Sequence, residues 1–473
     1  MSKPANKHAT TAGAILVALL VVFELSLGGA VAYLGLDWRS PLVTSSRDRV
    51  FTWLVVAAAV LSAVAVWQWL KPARDRALLR IGAAGLGLLS LTGLAFAVSS
   101  EARFKSLRTK ILEQGQDDRL MGIGGHLIVG YRAQGDIAKL VSNSVVAGVF
   151  VTARNVSGRT GPQIAAEIAG WQKARAAAGL PPLFITTDQE GGLVSRLSPP
   201  LKRRASLAES IVKVPERDKK IAIARDYGHV QGSELAAIGV NVNFAPVVDL
   251  NFGVRGRNDA YTRIYQRAIA RDPGLVTDLA GAFCDGLQAA GVLCTLKHFP
   301  GLGRVLGDTH VAEARLSAPV AELEATDLAP FRALGRDQNR MTMLSHVRLM
   351  AVDADTPVSL SSKVVTGMLR GDWKHTGILV TDDITMRAAY ASGKKRSLDS
   401  AAEATVRALN AGVDLVLISF DTDQVYPVLE ALADAYGNRT LARDQLAASS
   451  ARLAPLIARL SEPAATRFPP SRP

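Results

Sequence analysis

Short polar clusters close a series of apolar runs in this chain, and they hold most of its reactive side chains. Asp188 and Glu190 end LFITTDQE, Asp249 follows VNVNFAPVV, Lys297-His298 end VLCTLKH, His346 ends MTMLSH, and Asp382-Asp383 end GILVTDD. After Lys297 the chain reads KHFPGLGRVLGDTH, which sets Asp308 and His310 two residues apart, so both can face one side of an extended loop. A carboxylate beside an imidazole fixes its tautomer and raises its basicity, which suits a general acid or base. Glycines at 301, 303 and 307 let that loop bend over a neighbouring site and back. Carboxylates placed across a pocket, one as nucleophile or base and one as acid, are what cleavage of a glycosidic bond usually requires. Each residue also has a plainer reading. Asp188 can cap a helix, Lys297 can be solvated, His346 can be a satisfied core histidine, and one of Asp382 and Asp383 can cap the element that follows. An Asp–His pair can also ligate a metal, but no third and fourth ligands stand at a recognisable spacing, so no metal or other cofactor is expected.

Positioning these groups requires a scaffold, and the pattern supplies one. Eight apolar runs of strand length begin near His126, Ala147, Leu183, Val240, Val292, Met341, Gly377 and Val413. They are continuously apolar rather than alternating, as in parallel strands buried on both faces. Helical stretches such as 161–178, 219–238, 273–290 and 400–410 separate them. Eight strand–helix units predict a (β/α)8 TIM-type barrel, an α/β fold whose chemistry sits at the C-terminal strand ends. A doubly wound open sheet is the alternative, but no glycine-rich phosphate loop follows the first strand.

The first hundred residues differ. Three apolar segments, roughly 12–34, 51–70 and 78–98, each have the length of about 20 residues needed to cross a bilayer as a helix. The expected organisation is therefore a transmembrane region over 1–100, a barrel over 101–462 and a Pro-rich tail over 463–473. Glu24 lies inside the first segment. An intramembrane carboxylate is costly and flags function, unless it is protonated or faces a neighbouring helix. Lys3, Lys7, Lys71, Arg74 and Arg76 favour a cytoplasmic N-terminus and second loop, which places the barrel outside the cytoplasm. Arg39, Arg47 and Arg49, with Arg103, Lys105, Arg108 and Lys110 after the third segment, argue the other way. Cleavage near Ala30-Val31-Ala32, which resembles a signal-peptide site, would leave the barrel on the same side. The net charge of +13 is scattered. That suits a membrane partner or an anionic glycan, and without a basic block carrying interleaved aromatics no nucleic-acid partner is expected. The two cysteines, Cys284 and Cys294, lie in apolar stretches and read as buried free thiols.

Six motifs, in order along 122–456, resemble glycoside hydrolase family 3, and within it the bacterial β-N-acetylglucosaminidases that process peptidoglycan fragments. They are MGIGGHLIVGY, AGVFVTARNV, ITTDQEGGLVSRL, VNFAPVVDLN, KHFPGLGRVLGDTH and LVTDDITM. The resemblance implies that Asp382 is the nucleophile, that His310 is an unusual histidine acid/base with Asp308 as its partner, and that Asp188, Arg196, Lys297 and His298 bind the sugar. Arg263, in TRIYQRAI, resembles the arginine of a further sugar-binding stretch. A retaining exo-β-N-acetylhexosaminidase is the implied activity, with a carbohydrate as substrate. Leu302 and Leu193 depart from the usual His and Arg, and Thr381 from the usual Ser. Three membrane segments do not belong to the usual soluble recycling enzyme. The alternatives are a related β-glycosidase of other sugar specificity and a membrane-tethered protein that binds cell-wall glycan without turnover.

Overall fold

The computed structural model describes residues 7–39, 44, 46–70, 77–114, 118–256, 259–310, 312–389, 398–464 and 466–468. Lys3, Lys71, Arg74 and Arg76, on which the orientation argument draws, and Pro469, Pro470 and Pro473 of the tail lie outside them. The chain divides into two compact units, one built from the three long N-terminal helices and one from the barrel.

In the first unit, helices α1 (Lys7–Leu36), α2 (Arg47–Leu70) and α3 (Ala77–Glu113) are long and apolar enough to cross a membrane. Their outward faces carry bare apolar side chains such as Leu16, Phe23, Trp53 and Leu88, the arrangement expected where lipid replaces water. α1 and α3 meet through small residues, and a Cβ on Gly93 would collide with the backbone of Val31. Glu24 is buried against Gly82 with neither carboxylate oxygen hydrogen-bonded among the described residues. Arg39 pairs with Glu101 at 2.7 Å and stacks on Phe104.

The second unit is the predicted barrel. Strands β1 (Leu127–Gly130), β2 (Gly148–Phe150), β3 (Phe184–Thr187), β4 (Val242–Asn243), β5 (Leu293–Phe299), β6 (Arg340–Leu344), β7 (Ile378–Asp383) and β8 (Leu415–Ile418) form a closed sheet in sequential order. All neighbouring pairs run parallel, and β1 closes on β8 with Leu127 opposite Val416. Each strand coincides with one of the eight apolar runs. Helices α4 (Gly161–Ala177), α5 (Arg217–Ala237), α6 (Pro273–Ala289) and α7 (Leu398–Ala411) fall on the expected stretches. Their starts follow local rules. Thr160 and Gln163 cap α4 reciprocally, and Asp272 accepts the Leu275 N–H ahead of Pro273 in α6. Phe184, Phe244, Met341, Met343 and Leu415 belong to the buried core.

Two strands carry an extra residue near their polar C-terminal ends. In β5, Leu296 opposes Thr342 while Phe299 opposes Leu344; in β7, Val380 opposes Leu415 while Asp383 opposes Leu417. Three steps on one strand thus match two on its neighbour. Such bulges re-aim side chains, and here they fall on Lys297-His298 and Thr381-Asp382.

The cysteines correct an expectation. Both are buried, but Cys284 of α6 and Cys294 of β5 form a disulfide, with Cα atoms 5.3 Å apart. The ten-residue separation hid this pairing, because the turn after α6 folds the strand back along the helix and brings the two side chains to face each other.

Candidate active site

At the mouth of the barrel the polar strand ends join into one network. Lys297, almost wholly buried, donates to Asp188 at 2.7 Å and lies 2.6 Å from Glu190. Glu190 in turn takes a bidentate pair from Arg267, with Nε at 2.9 Å and Nη2 at 2.7 Å. Arg267 Nη2 also reaches His298 Nε2 at 3.2 Å. A guanidinium can only donate, so that nitrogen accepts and His298 carries its proton on Nδ1. Nδ1 faces Asp249 at 2.7 Å, and Asp249 also accepts the backbone N–H groups of His298 and Leu302. Burial works to raise the Glu190 carboxyl, but Arg267 and Lys297 overcome it and hold the group below the ordinary carboxylate range. The same pair raises Arg267 against the cost of its own burial.

Asp382, next to last in β7, is half-buried. Burial alone would raise its carboxyl. The imidazoles of His298, His346 and His310 act in the opposite sense and prevail, so it lies below the usual range and is ionised at neutral pH. Its neighbour Asp383 has another task. It accepts from Thr385 N and Oγ1, from Ser419 N and Oγ, and from Phe420 N, tying the end of β7 to the loop after β8. His346 is a satisfied core histidine, bonded to Ser359 Oγ at 2.7 Å and to the Asp383 carbonyl at 2.9 Å. It therefore orders the β7 end without facing solvent.

The loop after β5 brings the second group. His310 Nδ1 lies 2.8 Å from Asp308 Oδ1, while the His310 side chain stays 41% exposed. Asp308 is buried and further accepts the Tyr261 N–H at 2.8 Å, the Thr262 hydroxyl at 2.9 Å and the His310 N–H at 3.0 Å. Burial would raise this carboxyl, yet the His310 and backbone hydrogen bonds hold it well below its ordinary value. An ionised Asp308 keeps the His310 proton on Nδ1 and leaves Nε2 free to exchange a proton. The loop is also pinned to the segment after Asp382: Arg387 N donates to the His310 carbonyl and Ala388 N to that of Thr309, both at 3.2 Å. At its base Gly303 lies so close to Leu250 that a Cβ there would collide with the Leu250 carbonyl.

Of the residues singled out in the sequence, Asp188, Lys297 and His298 share the first network, and Asp382, Asp308 and His310 stand around the same mouth. Arg196 is exposed and hydrogen-bonded through its backbone N–H to the Asp188 carbonyl, which sets it beside that residue. The guanidinium in the network is that of Arg267, four residues beyond Arg263. Arg263 starts the short helix that carries Arg267, in a left-handed conformation (φ 43°) with its N–H on Asp259. Arg267 stood in the same TRIYQRAI stretch, and one helical turn separates the two. Glu190 was visible in DQEGG, but its service to both cations was not. Among the described residues, no group of three or more His, Cys, Asp or Glu side chains is arranged to hold a metal ion.

The sequence profile of the glycosyl hydrolase family 3 N-terminal domain matches residues 112–456, spanning all eight strands. The chain belongs to glycoside hydrolase family 3. Among relatives of the family 3 barrel is the β-hexosaminidase of Nitrosomonas eutropha, 34% identical over 294 residues, which cover 62% of this chain and 79% of that one. Among solved structures it resembles a glycoside hydrolase family 3 β-N-acetylglucosaminidase from Paenibacillus sp. str. FPU-7, with a TM-score of 0.63 and 31% identity over 72% of this chain; it spans 62% of that longer protein. It also resembles NagZ from Neisseria gonorrhoeae, solved with N-trifluoroacetyl-D-glucosamine, with a TM-score of 0.55 and 26% identity over 72% of this chain and 98% of that one.

Proposed function

We propose that this family 3 glycoside hydrolase is a retaining exo-β-N-acetylhexosaminidase that removes terminal β-linked N-acetylglucosamine from oligosaccharides. The carrying observation is the meeting of Asp382 with the Asp308–His310 pair at one barrel mouth, from elements more than seventy residues apart. In the first step a carboxylate oxygen of Asp382 bonds to the anomeric carbon as the glycosidic C–O bond breaks, and His310 Nε2 delivers a proton to the departing oxygen. In the second, His310 takes a proton from water, the water oxygen bonds to the anomeric carbon, and the bond to Asp382 breaks. Asp188, Lys297 and Arg196 bind the sugar hydroxyls, and His298, whose ring nitrogens engage Asp249 and Arg267, lines the pocket beside them. Arg267 and Glu190 hold Lys297 and His298 in place. The names of the relatives support the N-acetyl preference. Peptidoglycan-derived or chitin-type fragments are the natural substrates in this reading, and the charge of +13 fits an anionic wall glycan.

The test compares wild type and Asp382→Ala on a chromogenic N-acetylglucosaminide. Turnover by the wild type alone supports the reading. Absence from both, or glucoside turnover exceeding it, sinks the assigned specificity.

The same reading places the barrel outside the cytoplasm, held by α1–α3. The Cys284–Cys294 disulfide supports this, because such bonds persist in oxidising compartments.

A further inference from the structure

The mouth is graded from inside to outside. Asp382 is half-buried, His310 has a 41% exposed side chain, and Tyr261 is 62% exposed. Tyr261 lies in the loop after β4, with its ring centroid 5.4 Å from that of His310 and the planes 42° apart. The position of this ring is enforced rather than incidental. The Tyr261 N–H is held by Asp308 at 2.8 Å. Thr262 donates its hydroxyl to Asp308 and accepts Arg267 Nη1 on its carbonyl, at 2.9 and 2.8 Å. The dipeptide therefore bridges the acid/base pair and the sugar-side network by main-chain and short side-chain bonds, and leaves the phenol ring with an open face.

We infer that the Tyr261 ring is the platform on which the leaving-group sugar stacks, so that this enzyme selects its substrate on the reducing side of the cleaved bond through one aromatic residue of the β4 loop. This rests on His310 as the acid of the proposed mechanism. A proton donor must lie within hydrogen-bonding reach of the departing oxygen, so the ring beside His310 borders the group that departs. The sugar that is retained lies inward, against Asp382. A pyranose presents an apolar C–H face, and a flat, preorganised aromatic side chain is the partner that recognises it. The ligand class is a β-linked amino-sugar residue that turns an unsubstituted C–H face to the ring.

The experiment uses the full chain in detergent and two substrates. One is a β-1,4-linked N-acetylglucosamine disaccharide, whose second sugar must occupy the platform. The other is the methyl β-glycoside of N-acetylglucosamine, whose leaving group needs the His310 proton just as much but is too small to touch it. Tyr261→Ala should lose about five- to tenfold in kcat/KM on the disaccharide, and at most about twofold on the methyl glycoside. Tyr261→Phe should recover most of the disaccharide rate. Equal losses on both substrates would show that Tyr261 only positions His310 and would overturn the inference, as would an undiminished disaccharide rate in Tyr261→Ala. Failure of the underlying mechanism reads differently: turnover of both substrates surviving in Asp382→Asn would remove the nucleophile, whatever Tyr261 does.

Discussion

Asp382, Asp308 and Glu190 are three carboxylates in one mouth, each held below its ordinary range by a different neighbour. Imidazoles surround Asp382, a hydrogen-bond cage surrounds Asp308, and two cations flank Glu190. Their consequences separate. His310→Ala should lose far more rate on a substrate with a poor leaving group than on an activated aryl glycoside, because only the former needs the proton; equal losses, measured as kcat/KM on both, would remove His310 as the acid. For Glu190 the sign runs through stability. A carboxyl depressed in the folded state stabilises fully above its unfolded value, about 4.3, and that contribution drains away as pH falls below it. The melting temperature should therefore drop between about pH 5 and pH 3, and Glu190→Gln should flatten that drop while lowering the plateau at neutral pH. Breaking a buried pair leaves its cations unpaired, at a cost of about 3–5 kcal/mol. A pH profile of thermal unfolding for the two proteins decides it. Asp188, Lys297, His298, Asp308, His310 and Asp382 were legible in the sequence because each follows an apolar run or a compact motif. Arg267 was not separable from Arg263, since a four-residue offset is one turn of helix and sets both on one face; only the fold shows that Arg263 merely starts the helix while Arg267 reaches Glu190.

The elements act on the site through their irregularities. The extra residues in β5 and β7 turn consecutive side chains of one strand toward the mouth, which a regular strand would send to opposite faces. Asp383 then locks the β7 end with five accepted hydrogen bonds. Asp383→Asn should destabilise the barrel by roughly 2–4 kcal/mol, because an amide cannot accept from donors on both sides; denaturant titration measures it. The β5 loop is more delicate. Gly303→Ala places a methyl group against the Leu250 carbonyl, so the loop must shift. A displacement near 1 Å at His310 is worth about 100-fold in rate. The expected outcome is lost kcat with a nearly unchanged melting temperature, measured side by side. An equal fall in both would mean that the loop carries stability rather than placement.

At the scale of the molecule, two units with different surfaces share one chain. The helical unit presents apolar faces outward, and the barrel buries its own apolar runs and shows polar rims. The disulfide speaks to where the barrel resides. In protein extracted under acid quench, maleimide–polyethylene glycol should label neither Cys284 nor Cys294 until reductant is added, and protease added outside intact spheroplasts should reach the barrel. Labelling without reductant, or a protected barrel, would place it in the cytoplasm instead.

The sequence by itself determined the eight-unit barrel, the three membrane-length helices and the polar strand ends that meet at its mouth. All of these follow from periodicity and segment length, which are local properties of the chain. Tertiary structure alone decided the rest. The cysteine pairing, the choice of Arg267, the five-fold satisfaction of Asp383 and the seat of the Tyr261 ring all depend on distances between segments remote in sequence. Barrel closure sets those distances, and no local pattern encodes them.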